Sequence, residues 1–118
     1  MGTHKDLKVW KRSLDFVTVI FNITKNYPKS EKFGLINQIR RSAVSIPSNI
    51  AEGAARNHNK EYIQFLYIAL SSASELDTQI RISNNLEFLS KDKSTELLEE
   101  LEIISKMLQG LIRSIKNK

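Results

Sequence analysis

A chain of 118 residues, 41% hydrophobic and 26% charged, has material for a single hydrophobic core, and its four glycines and two prolines leave little for long loops, which excludes a disordered or low-complexity chain. It has no cysteine, so disulfides, thiolate zinc sites, iron–sulfur clusters and a cysteine nucleophile are excluded together. The net charge of +5 is lopsided, with eleven Lys/Arg against four Asp/Glu in residues 1–60 and seven against nine in residues 61–118, so the basic half suits a polyanionic partner.

The stretch Met1 to Asp6 lacks the apolar run of a signal peptide, and Asp6 stands where a myristoylation signal needs Ser or Thr. Phe16 to Phe21, the longest nearly unbroken apolar run, is far shorter than the roughly 20 residues that span a bilayer. A cytoplasmic location is expected. Helical periodicity then marks four segments of one domain spanning 1–118, at roughly 7–26, 32–54, 59–85 and 93–116.

In the first, Trp10, Leu14, Val17 and Phe21 take the spacing of a bundle seam, and the helix stops near Tyr27-Pro28. It also carries Phe16, Val19, Ile20 and Ile23, more apolar surface than one seam buries, and these four are the candidate subunit interface. The second seam is Ile36, Ile39, Ala43, Ile46 and Ile50. It keeps phase across Pro47, which implies one continuous, kinked helix, with Ser45, Ser48 or Asn49 available to the carbonyl that proline leaves free. Asn57 or Asn59 can cap the third helix, whose seam is Tyr62, Leu66, Ala69, Ala73, Leu76 and Ile80, ending near Asn84-Asn85. Ser90 to Ser94 offers caps for the fourth, built on Leu97, Leu101, Ile104, Leu108, Leu111 and Ile115. No segment alternates like a strand. Short connections make neighbouring helices antiparallel, so the fold expected is an all-α, up-down-up-down four-helix bundle.

The usual chemistries of such a bundle find no residues. A di-metal site needs Glu-x-x-His pairs, and the positions after Glu31, Glu52, Glu61 and Glu75 hold Gly34, Ala55, Gln64 and Thr78. The positions that an Arg–His nuclease pair would need before His58 hold Ala51, Glu52 and Gly53. His4 and His58 lie near helix ends and read as solvated, and no glycine-rich phosphate loop is present. No metal, cofactor or small-molecule substrate is expected, and no enzyme. What remains is a basic set, Arg40, Arg41, Arg56 and Lys60, able to contact phosphates through guanidinium forks and an ammonium. The three arginines each have a plain structural alternative: Arg40 pairing with Glu75 or Asp77 across the bundle, Arg41 simply solvated, and Arg56 pairing with Glu52, which otherwise sits unfavourably near a helix C-terminus. Trp10 reads as core rather than as a platform for bases.

Leu7-x-Val9-Trp10, Tyr27-Pro28 and the run Gln38-Ile39-Arg40-Arg41-Ser42-Ala43-Val44-Ser45-Ile46-Pro47-Ser48-Asn49-Ile50-Ala51-Glu52-Gly53 resemble the four-helix-bundle proteins encoded by intervening sequences of 23S ribosomal RNA genes. The likeness continues through Glu61-Tyr62-x-x-Phe65-Leu66, Glu75-Leu76-x-Thr78-Gln79 and Lys106-Met107-Leu108, almost the whole chain. Asn59 departs from the serine common there as a cap. The resemblance implies a left-handed bundle assembling as a ring of five, and kinship with the accessory protein of diversity-generating retroelements, which binds nucleic acid alongside a reverse transcriptase. It implies no catalytic residues. The function expected is a non-enzymatic, oligomeric protein binding structured RNA or DNA through its basic first half, the alternative being a protein–protein scaffold without nucleic acid.

Overall fold

The computed structural model describes His4 and residues 7–118, so the stretch bearing Gly2 and Asp6 lies outside the described residues. Four helices, α1 (Lys8–Thr24), α2 (Leu35–Ala54), α3 (Asn59–Asn85) and α4 (Lys91–Lys116), are joined by short connections, the first containing a 3-10 turn at Lys29–Glu31. No strand occurs among the described residues. No described helix is long and apolar enough to cross a membrane.

The boundaries follow from local chemistry. Pro28 opens the 3-10 turn, which delays α2 to Leu35. Ser90 accepts from the Lys93 amide at 3.1 Å, a side-chain N-cap that starts α4 two residues earlier than the periodicity does. Neither Asn57 nor Asn59 caps α3: His58 holds the N-cap position without a side-chain bond, and Asn59 is already helical. The far end of α3 closes with the Phe88 amide on the Ser83 carbonyl at 2.9 Å, and Glu87 takes the left-handed conformation (φ 64°) that such a closure requires.

Contacts run in opposite order along neighbouring helices. Ser45 meets Ser72 at 2.7 Å, and further along α2 Gly53 meets Phe65 and Tyr62, earlier in α3. Lys116, at the end of α4, reaches Tyr67 near the start of α3 at 3.1 Å. Each helix touches its neighbours in the ring α1, α2, α3, α4, the antiparallel arrangement that the short connections dictate.

The predicted seam of α2 is buried at every position, and that of α3 is buried from Leu66 to Ile80, with Tyr62 at its edge. In α4, Ile112 takes the buried place near the end and Leu111 sits beside it. α1 is different. Its buried face is Val9, Ser13, Phe16, Ile20 and Thr24, one residue out of phase with the predicted seam. Leu14 is exposed, while Trp10 and Val17 are only partly covered, Trp10 packing edge-on to His4. Two positions of the real seam are hydroxyl residues that bond their own helix, Ser13 to the Trp10 carbonyl and Thr24 to the Ile20 carbonyl, both at 2.8 Å. Bonded this way they enter a core at little expense, and apolar spacing does not reveal them.

Pro47 is buried within an unbroken α2. Asn49 donates to the Ser45 carbonyl at 2.8 Å and to the Ser45 hydroxyl at 2.9 Å. That bond lies half a turn beyond the Ala43 carbonyl, which is the one that proline deprives of its usual donor.

Candidate nucleic-acid interface

The structure does not gather the four basic candidates into one site. Arg40 leaves the second turn of α2 towards α1, where its Nε donates to Thr24 Oγ1 at 2.9 Å and its Nη2 to the Phe21 carbonyl at 3.2 Å. Its guanidinium lies 4.6 Å from the centre of the Phe21 ring. The last carbonyls of a helix lack intrahelical donors and carry the negative end of its dipole, and α1 has no basic residue in its own last turn. Arg40 supplies that cation from the next helix. Both sequence readings of Arg40, a phosphate contact or a pair with Glu75 or Asp77, are therefore replaced by a cap.

Arg56 is held too. It donates to Glu52 at 2.9 Å, approaches Glu61 at 3.7 Å and covers Phe65 at 4.7 Å. The Glu52 pairing is the one that its spacing implies. Arg41 and Lys60 are exposed and have no ion-pair partner among the described residues. Arg41 lies near the start of α2 and Lys60 in the first turn of α3, at opposite ends of the bundle.

Of the candidate interface residues, Phe16 and Ile20 are 3% and 1% exposed, core side chains of the single chain, because the seam of α1 runs through them. They cannot meet a second subunit. Val19 is 41% exposed and Ile23 partly covered.

The topology assembles a different basic surface. The end of the bundle where α1 and α3 begin and α2 and α4 finish carries Lys8, Lys11, Lys60, Arg113, Lys116 and Lys118, all exposed. Among the described residues, Glu52 and Glu61 at this end both face Arg56, Asp15 lines a depression with Lys8 and Lys11, and α4 has no acid after Glu102. Arg12, on the next turn of α1, is bound two-pronged by Glu100, with Nη2 to Oε1 at 3.0 Å, and that bond and charge raise its pKa further. Tyr62, partly buried beside Gly53, has its phenol pKa raised by burial and stays neutral. Arg113, Lys116 and Lys118 fall in the half whose net charge is negative, which is why a count by halves passes over them. The acid-free run after Glu102 is the signal that would have found them.

No group of three or more His, Asp and Glu side chains among the described residues is placed to hold a metal ion.

Residues 5–110 match the family described as 23S rRNA-intervening sequence protein. The chain belongs to that family. A crystal structure of a protein of unknown function from the S23 ribosomal protein family of Bacteroides thetaiotaomicron VPI-5482 is similar, with a TM-score of 0.79 at 26% identity over 88% of this chain and 97% of that one. No protein of curated function matches the chain. The family match spans Arg40, Arg41, Arg56 and Lys60, while Arg113, Lys116 and Lys118 lie beyond it. Membership in the 23S rRNA-intervening sequence family thus carries the fold and leaves the activity to be argued from the surface.

Proposed function

We propose that this member of the 23S rRNA-intervening sequence family is a non-enzymatic, oligomeric, cytoplasmic protein that binds structured RNA or DNA through phosphate contacts at the basic end of the bundle. The observation that supports this reading is the convergence there of exposed Lys8, Lys11, Lys60, Arg113 and Lys116 from α1, α3 and α4, with Glu52 and Glu61 occupied by Arg56. Ammonium and guanidinium groups set in solvent neutralise phosphates and release counterions whatever the bases are.

Fluorescence anisotropy with a labelled structured ribosomal RNA fragment tests it. The logarithm of the binding constant should fall linearly with the logarithm of salt concentration, with a slope of about −0.9 for each phosphate neutralised on a duplex. Lys60→Glu combined with Arg113→Glu should weaken binding and flatten that slope. Absence of binding at low salt would overturn the reading and leave the protein–protein scaffold in its place.

A further inference from the structure

The cleft between α2 and α3 holds groups that phosphate neutralisation does not use. Arg41 of α2 faces Glu75 and Gln79 of α3 across a cavity of about 330 Å³, floored by the Ser45–Ser72 hydroxyl pair. Arg41 and Glu75 line the same cleft, yet neither has an ion-pair partner among the described residues. Gln79 is 8% exposed, and its Oε1 is buried without a hydrogen-bond partner among the described residues. A buried acceptor in that position is unfavourable until something donates to it.

Glu75 and Gln79 stand four residues apart, on one face of α3. The exposed Glu75 carboxylate therefore offers acceptor oxygens on the α3 wall of the cleft, with Gln79 packed beside it and the Arg41 guanidinium on the α2 wall. The cleft is not closed at its sides. Gln38, Glu75 and Gln79 continue into a neighbouring depression that reaches Ile82, and Asn37, Arg41 and Ser45 continue into another that reaches Phe21 and Val44. A groove open at both sides admits a strand passing through it.

We propose, resting on the nucleic-acid reading above, that this cleft takes one unstacked guanine from a single-stranded stretch of the bound nucleic acid. Guanine N1–H and its N2 amino group donate to the two oxygens of the Glu75 carboxylate, and Arg41 donates to O6 and N7. Arginine on guanine O6 and N7 is a well-matched fork, and single-stranded bases offer both of these edges. The other bases fit worse. Adenine and cytosine set a ring-nitrogen lone pair beside their single amino group, against the Glu75 carboxylate. Uracil has one N–H between two carbonyls. Along α2, Arg41 lies about 20 Å from the basic end at 1.5 Å rise per residue, a span for a few nucleotides of extended strand.

The test is anisotropy with a short oligouridine and the same strand carrying one central guanosine, on the intact protein and two variants. The guanosine strand should bind about tenfold more tightly to the wild type, within the range of a bidentate base contact. Glu75→Gln, at an exposed position, should remove that preference without weakening the oligouridine, its fold checked by circular dichroism. Lys60→Glu should weaken both strands alike and keep their ratio. Equal binding of both strands to the wild type would overturn the guanine site while leaving the phosphate reading intact, and a preference that survives Glu75→Gln would overturn its assignment to this cleft. If neither strand nor structured RNA binds at low salt, the phosphate reading falls and this proposal with it.

Discussion

Arg40 and Arg41 are adjacent, so helix geometry turns them about 100° apart, one into the crease against α1 and the other to solvent. A fork that bonds Thr24 and the Phe21 carbonyl is structural. Arg40→Ala should lower stability by about 1–3 kcal/mol, since it removes the two hydrogen bonds from a charged donor that tie α2 to the end of α1, leaving the Phe21 carbonyl only the Thr24 hydroxyl at 3.2 Å, and should leave RNA affinity unchanged. Urea denaturation and anisotropy on the same sample separate the two effects. A loss of affinity at full stability would return Arg40 to the phosphate surface. How far such roles were legible depends on where the partner lies. Glu52, in the last turn of α2, and Arg56, just past its end, are four apart, and the spacing declares the pair. Arg40's partners are a hydroxyl and a carbonyl on the preceding helix, and a search for carboxylates across the bundle does not reach them.

Between elements, periodicity carries furthest where apolar residues are also the buried ones. The seam of α2 needs no revision, because Ile36, Ile39, Ala43, Ile46 and Ile50 stand out against polar neighbours. In α1 apolar residues lie almost all round the helix, and the true face passes through Ser13 and Thr24. The surplus surface is accordingly divided, Phe16 and Ile20 going to the core and Leu14 and Val19 to solvent. Gly53 marks a second constraint between elements. A Cβ there would meet Phe65 Cβ at 2.8 Å and Tyr62 Cδ1 at 3.0 Å, with the Tyr62 carbonyl at 3.1 Å. That close approach lets α2 and α3 meet at the hairpin, and no positive φ is involved. Gly53→Ala should destabilise the bundle by about 1–3 kcal/mol through overpacking, despite alanine's better helix propensity. A rise in thermal midpoint would show that the hairpin opens freely, and the packing account would then be wrong.

For the whole molecule, the ring of α1 to α4 leaves apolar side chains on the outer surface, among them Leu14, Val19, Val44, Ile68, Ile82 and Ile103. Scattered singly, such residues are ordinary on a soluble protein. The proposed oligomer requires some of them to be covered in solution, and α1 offers the cleanest place to ask. With Phe16 and Ile20 inside the chain, Val19 is the interface candidate on α1 that a substitution can reach without disturbing the core. An aspartate at a position 41% exposed in the single chain stays hydrated there and should leave the protomer folded. Covered by a second subunit, the same carboxylate would be stripped of water without a partner, at several kcal/mol. Val19→Asp should therefore shift the protein from oligomer to monomer in light scattering, with an unchanged helical circular dichroism spectrum. The mass of the wild type decides whether the assembly is the ring of five that the resemblance implies. A wild type that scatters as a monomer at micromolar concentration would end the oligomer reading, and the basic end would then have to bind nucleic acid as a single unit. A wild-type oligomer that survives Val19→Asp would instead place the subunit contact on the faces bearing Ile68, Ile82 or Ile103.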